Sequence, residues 1–101
     1  MTPIQLKLNE HNRGAFLIEE NDEILAEMAI GILDNKLVVY HTEVSEKLKG
    51  QGIAKKLLDT MVEYAHKNNL KVIALCPYVH TYFTRHPDLY KDIWQKEIKE
   101  G

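Results

Sequence analysis

The chain has 101 residues, of which 45% are hydrophobic and 28% charged, a composition typical of a folded globular protein. We expect one domain over residues 1–101, because a chain of this length has no room for a second hydrophobic core. Thirteen Lys and Arg residues against fifteen Asp and Glu residues give a net charge of −2. This balance argues against a protein that binds nucleic acid or membranes by bulk electrostatic attraction.

The apolar runs are too short for a membrane-spanning helix, which needs ~20 residues. Residues 1–10 also lack the charged head and apolar body of a signal peptide. We therefore expect a cytoplasmic protein that is a monomer or a weak dimer. The one cysteine, Cys76, cannot form an internal disulfide or a cysteine-rich zinc site.

Residues 5–44 predict extended strands joined by short hairpin connections. The turn signals, rich in Asn, Asp and Gly, lie at residues 9–14, 21–23 and 34–36. Residues 24–33 and 37–44 are almost continuously apolar at their centres. This pattern predicts central strands that are covered on both faces.

The second half of the chain changes to a helical period. Apolar residues recur every three or four positions over about residues 51–67, which predicts an amphipathic helix. Residues 70–75 then predict a strand, so strand, helix and strand form a crossover with two parallel strands. A short helix near residues 78–85 and a last helix over about residues 88–99 complete an α/β fold.

The loop that opens the long helix carries the sharpest functional signal. Gly50 and Gly52 stand where a strand passes into a helix, so backbone N–H groups there can approach a ligand closely. The helix N-terminus favours an anion, and Lys47, Lys49 and Lys55 surround it with positive charge. A pyrophosphate fits such a site.

Two glycines at this position also have a purely structural interpretation, namely a tight turn that packs the helix closely, with solvated lysines beside it. The loop is neither a P-loop nor a dinucleotide-binding fingerprint, because Gly50 and Gly52 are too close and Lys55 stands where a third glycine would be needed.

In its context between strand and helix, this loop resembles the GNAT superfamily of N-acetyltransferases. The residues that carry the resemblance are Val44, Lys47, Gly50, Gly52, Ile53 and Ala54, followed by Leu57 and Leu58. The resemblance covers roughly residues 33–85. The short chain and the segment from Cys76 to Pro87 look like the small YjdJ-type branch of the superfamily.

The resemblance implies a GNAT-like mixed sheet, mostly antiparallel, with one parallel pair that splays apart and helices packed on it. It implies acetyl-CoA as co-substrate, with the pyrophosphate on the amides of Gln51 to Ala54 and the pantetheine arm along the strand edge. The implied cofactor-binding residues are Thr42, Glu43, Val44, Lys47, Lys49, Gly50, Gln51, Gly52, Ile53, Ala54, Lys55, Cys76, Pro77, Tyr78, Phe83 and Arg85.

The chain departs from the superfamily pattern at two places. The tyrosine that often protonates the leaving thiolate aligns with Phe83, so the general acid is unassigned, and Tyr78 and Tyr82 carry the nearby phenols. The chain also lacks the helical pair after the first strand and the closing hairpin that build the acceptor pocket in larger relatives. An open, shallow acceptor site is the consequence.

Three side chains are candidates for catalysis. His41 and Glu43 share one face of their strand, since strand side chains alternate, and together with a water they form a candidate base. Their structural alternatives are a core histidine and a loop-capping glutamate. Cys76 would lie beside the thioester, as a nucleophile or as an acid for the leaving sulfur, whereas its structural alternative is a buried packing residue.

No metal site is expected, because no two histidines have the helical spacing that converges on an ion. The first functional hypothesis is an acetyl-CoA-dependent N-acetyltransferase that acts on a primary amine of an unknown acceptor, either a small molecule or a protein. The alternatives are a CoA-binding module without efficient catalysis and a protein-interaction domain that uses the C-terminal surface around Trp94.

Overall fold

In the computed structural model, residues 3–96 are described, and they form a five-stranded sheet with helices packed on it. The strands are β1 (Gln5–Leu8), β2 (Arg13–Glu20), β3 (Glu23–Leu33), β4 (Lys36–Val44) and β5 (Lys71–Ala74). The helices are α1 (Ile53–Lys67), α2 (Pro77–Arg85) and α3 (Pro87–Tyr90), and a 3-10 turn spans Glu46–Leu48. None of the helices in this part of the chain is long and apolar enough to cross a membrane.

The strands lie in the sheet in the same order as in the chain. The pairs β1–β2, β2–β3 and β3–β4 are antiparallel, and β4–β5 is parallel with α1 between the two strands. The β2–β3 hairpin turns at Asn21 and Asp22, whose φ angles of 53° and 64° match the positive φ values that a two-residue hairpin requires. The predicted mixed α/β fold with one parallel pair is confirmed.

One hydrophobic core lies between the sheet and the helices. The buried side chains of α1 recur at helical spacing and form one stripe: Ile53, Leu57, Leu58, Met61 and Ala65. They pack with one face of the strands, which contributes Phe16, Met28, Ile30, Leu37 and Val39, and with Val79 and Phe83 of α2. α1 is amphipathic, as its sequence period predicts.

The prediction that β3 and β4 are covered on both faces is wrong. The core contains only one face of each strand, and Ile24, Leu33 and Tyr40 are 50%, 71% and 39% exposed. The continuous apolar pattern arises because small residues, Ala29 and Gly31, occupy the other face at the centre of β3. This second surface, which carries no helix among residues 3–96, is called the helix-free face below.

The predicted last helix is present, but its predicted length is wrong. α3 ends at Tyr90, and the chain then runs beside β5, where Val72 N–H donates to the Ile93 carbonyl and Gln95 N–H donates to the Val72 carbonyl. These two bonds, of 2.7 and 2.9 Å, satisfy backbone groups on the outer edge of β5. Residues 97–99 of the predicted helix lie outside the described residues.

Candidate active site

β4 and β5 separate halfway along β4. They pair only from Lys36 to Val39, and the amides of Leu75 and Cys76 then converge on the carbonyl of Val39 at 3.0 and 2.9 Å. Beyond this point β5 leads away into α2, while residues 41–44 continue to pair with β3 alone. Within residues 3–96, no strand pairs with the other edge of this segment, so its backbone is open to a ligand.

A β-bulge lies where the two strands separate. Ala29 pairs with His41 and Ile30 pairs with Val39, which leaves Tyr40 as the extra residue of β4. Tyr40 and His41 are consequently both exposed, whereas Val39 is fully buried and Val44 packs against the core. The bulge therefore turns two consecutive side chains to the helix-free face, a common use of bulges beside active sites.

The glycine loop enters α1 through two left-handed residues. Gly50 has φ 81° and Gly52 has φ 68°, a region that other residues adopt only with strain. Gly52 is the N-cap of α1, so no side chain caps the first turn, and no acidic residue lies in that turn. The first amides of the helix have no intrahelical acceptor and remain available as donors to an anion.

A groove of about 370 Å³ runs from the end of β4 to the start of α1. Its lining includes eight of the sixteen residues that the resemblance assigned to the cofactor: Val44, Lys49, Gly50, Gly52, Ile53, Ala54, Lys55 and Tyr78. Lys47, Pro77 and Arg85 are exposed but do not line it. Gln51 is exposed at the mouth of the loop, between the two glycines.

The three lysines around the loop are each paired with a carboxylate. Lys47 Nζ lies 2.7 Å from Glu23 Oε1, Lys55 Nζ lies 2.7 Å from Asp59 Oδ1, and Lys49 Nζ lies 3.9 Å from Glu46. The hydrogen bond with Asp59 raises the pKa of Lys55, partly offset by desolvation. All three pairs are exposed, so they contribute little to stability and an incoming anion can replace the carboxylates.

Cys76 lies at the point where the strands part. The residue is 2% exposed, precedes Pro77 as the N-cap of α2, and its Sγ lies 3.4 Å from Thr42 Oγ1 across the opening. The resemblance implied that both residues bind the cofactor, and the structure brings their side chains together. Sequence reasoning did not anticipate that a threonine hydroxyl would contact the sulfur.

His41 and Glu43 lie on the other face of β4 from this sulfur. Both are exposed, so His41 is not a core histidine. Glu43 pairs directly with Glu27 of β3, and both line a shallow cavity of about 170 Å³. Because Cys76 belongs to the core cluster on the helix side, His41 does not lie beside its thiol.

The aromatic residues of α2 divide between groove and core. Burial raises the pKa of the Tyr78 phenol, with a smaller contribution from Tyr82. Tyr82 is half-buried, and its ring lies 5.4 Å from Lys55 Nζ. Phe83 is 0% exposed and stacks on Tyr90 at 4.4 Å, so the side chain that the sequence placed against the cofactor packs in the core instead.

No group of three or more His, Cys, Asp or Glu side chains within residues 3–96 is arranged to hold a metal ion. The groups at the opening are backbone donors, a thiol, phenols and a carboxylate. A sheet opened beside an uncapped helix N-terminus, with such groups at the opening, suits acyl transfer.

The fold and this site define an acyltransferase. A family model described as GCN5-related N-acetyl-transferase matches residues 15–93. The chain belongs to this family of N-acetyltransferases.

Solved structures agree with the family. A GCN5-like protein from Staphylococcus aureus, described as a candidate N-acetyltransferase, is 34% identical over 99% of this chain and 96% of its own, with a TM-score of 0.65. The ribosomal-protein-S18-alanine N-acetyltransferase from Escherichia coli is 12% identical over 80% of this chain and 54% of its own, with a TM-score of 0.60.

A ribosomal-protein-alanine N-acetyltransferase from Brucella melitensis is 19% identical over 91% of this chain and 68% of its own, also with a TM-score of 0.60. At these lower identities the last two structures establish the fold. No curated protein has a significant sequence match to this chain.

Proposed function

We propose that this protein transfers an acetyl group from acetyl-CoA to a primary amine. The observation that carries the proposal is the opening between β4 and β5, where an unpaired strand edge meets the uncapped start of α1 in one continuous groove. Acetyl-CoA carries both a long polar arm and a pyrophosphate. The unpaired strand edge can form backbone hydrogen bonds with the arm, and the amides at the start of the helix can bind the pyrophosphate.

In this proposal the amides of residues 52–54 receive the pyrophosphate, because the Gln51 N–H already donates to the Leu48 carbonyl at 3.3 Å. Gly52 carries no side chain over the helix end, and a Cβ there would meet nothing within 4 Å, so a phosphate has free access. Lys49 and Lys55 line the same groove and exchange their exposed carboxylate partners for the phosphate oxygens. The pantetheine arm adds to the open edge at residues 42–44 as an extra strand would.

The reaction forms a bond between the amine nitrogen and the acetyl carbon and breaks the bond between that carbon and the CoA sulfur. The amine must lose a proton and the departing sulfur must gain one. Tyr78 lines the groove, and its raised pKa keeps the phenol protonated at neutral pH, so it is the proton donor that we assign to the sulfur. Glu43, with His41 and a water, receives the proton of the amine.

Cys76 offers a second route for the same reaction. Its thiol gives up a proton and attacks the acetyl carbon, the bond from that carbon to the CoA sulfur breaks, and CoA leaves as a thiol with that proton. The amine then attacks the acetyl-cysteine, the carbon–sulfur bond to Cys76 breaks, and the Cys76 thiol regains the proton that the amine loses. Thr42 Oγ1, 3.4 Å from the sulfur, can donate to the thiolate and stabilise it. The sulfur is 2% exposed, so a thioester reaches it only through the opening beside β4.

The test is to incubate the protein with acetyl-CoA and a panel of amines, and to measure free thiol. We expect release above spontaneous hydrolysis with at least one primary amine, and no increase with the matching tertiary amine. CoA binding without thiol release from any amine would favour a CoA-binding module. Absence of CoA binding would favour a domain for protein interaction.

A further inference from the structure

The helix-free face carries a cavity of about 470 Å³, which is larger than the groove of about 370 Å³ at the start of α1. It lies over the start of β2 and the end of β3, between the β1–β2 loop and β4, and takes no part in the groove. Its lining combines apolar side chains, Leu33 and Val38, with the phenol of Tyr40 and the basic side chains of His11 and Arg13. Such a mixture is typical of a small-molecule site.

The cavity depends on the absence of a side chain at Gly31. A Cβ at this position would lie 3.2 Å from the Tyr40 hydroxyl, 3.3 Å from Tyr40 Cε2 and 3.7 Å from Arg13 Cγ. Tyr40 thus folds across the glycine, and Arg13 closes in from β2. Gly31 lines the bottom of the cavity, and the side chains of Tyr40 and Arg13 line its sides.

The charge of the cavity favours an anion. Its lining contains an arginine and a histidine and no Asp or Glu. Within residues 3–96, the Arg13 guanidinium has no ion-pair partner, while His11 Nε2 lies 3.7 Å from Glu10 Oε1. A guanidinium without a partner beside apolar walls is suited to a carboxylate or a phosphate.

The cavity lies beside the opening where we propose that the acetyl group is transferred. Tyr40 is the bulge residue at the point where β4 leaves β5, so it borders both the cavity and the opening. On the helix-free face, Arg13 of β2 pairs with Gly31 of β3. Four residues away along β3, Glu27 pairs with Glu43 of β4. At a rise of roughly 3.3 Å per residue, the basic and acidic ends of this face are about 13 Å apart.

We propose that this cavity is an acceptor subsite, and that the acceptor is a molecule with both a primary amine and an anionic group. The anion binds Arg13, the apolar body of the acceptor lies over Gly31 against Tyr40, and the amine reaches the opening beside His41 and Glu43. This inference rests on the proposed function, because it takes the opening between β4 and β5 as the place of acyl transfer.

The test uses three amines of equal chain length: 8-aminooctanoate, 8-aminooctyl phosphate and octylamine. Titrated into the CoA-saturated protein, the two anionic amines should shift the backbone amide NMR signals of Arg13, Gly31 and Tyr40. Octylamine should bind about tenfold more weakly, the effect of losing one exposed, charge-assisted hydrogen bond. The tighter of the two anionic amines identifies the anion as carboxylate or phosphate.

Two variants and one control complete the test. Arg13→Gln should lower the affinity for the anionic amines to that of octylamine, and Gly31→Ala should weaken all three amines by displacing Tyr40. Lys67→Gln removes the same charge from an exposed position at the end of α1 and should change nothing. Equal binding of octylamine and 8-aminooctanoate, or amide shifts confined to residues 50–54, would overturn the inference.

Turnover separates this inference from the proposed function. With acetyl-CoA, 8-aminooctanoate should have a kcat/KM about tenfold above that of octylamine, and Arg13→Gln should abolish the difference. Thiol release that is equal for both amines would overturn the subsite and leave acetyl transfer standing. No thiol release from any amine would overturn the proposed function.

Discussion

Replacing Gly52 by alanine separates the conformational role of this glycine from its role in binding. The residue has φ 68°, and a Cβ there would meet no atom within 4 Å. The cost to folding is therefore backbone strain without a clash, about 1–2 kcal/mol for a left-handed residue that carries a Cβ. Urea unfolding should report a free energy of unfolding lower by this amount.

The effect of Gly52→Ala on CoA affinity should be larger than its effect on folding. If the phosphate approaches the helix end over Gly52, the new methyl group should keep a phosphate oxygen from approaching the first amides of α1. Loss of one hydrogen bond to a charged group is worth roughly 1.5–3 kcal/mol, or about a 10- to 150-fold increase in Kd. Isothermal titration calorimetry with CoA measures this change directly.

Asn69→Ala is the matched control. Asn69 has φ 55° and follows the other end of α1, away from the groove, so the variant introduces a similar strain at a distance from the ligand. It should lose up to about 1 kcal/mol of stability and bind CoA as the wild type does. If both variants bind CoA equally well, the helix end is not the pyrophosphate site.

The remaining predictions concern the sulfur, the phenols and the core. Cys76→Ser should bind CoA normally and lose turnover. Mass spectrometry of the wild type with acetyl-CoA should show one acetyl group on Cys76. Full turnover in the variant would eliminate the thiol route. Because burial raises the pKa of Tyr90 above 10.0, the folded state holds that proton more tightly than the unfolded chain. The free energy of unfolding should therefore fall as pH rises above 10, less so in Tyr90→Phe, and an unchanged slope would contradict this. Leu58→Ala should cost about 2–5 kcal/mol in urea unfolding, since Leu58 is fully buried, whereas Leu89→Ala at a 64% exposed position should cost under about 0.5 kcal/mol.

The sequence was sufficient to predict the hairpins, the long helix and the parallel pair. Each has a local cause, such as positive φ at Asn21 and Asp22 or the apolar stripe of α1. α1 begins at Ile53, two residues later than the apolar period suggests, because the left-handed Gly52 ends the loop immediately before it. The glycines therefore predicted the binding loop and also determine where the helix starts.

The sequence could not predict features that depend on tertiary pairing. The bulge at Tyr40 is a shift of one residue between β3 and β4, and no residue type in β4 marks it. Up to residue 96, the last helix does not continue beyond Tyr90, because Val72 on the outer edge of β5 forms backbone hydrogen bonds with Ile93 and Gln95. This pairing outweighs the helical pattern of that segment. The cavity over Gly31 follows from the bulge, so it was also missed.

The central claim, that the groove at the start of α1 holds acetyl-CoA, is tested most directly by amide NMR during titration with CoA. If acetyl-CoA binds there, the largest shifts should fall at residues 50–54, with further shifts along the open strand edge at residues 42–44. Largest shifts in residues 4–19 of the first two strands would place the ligand elsewhere and contradict the account.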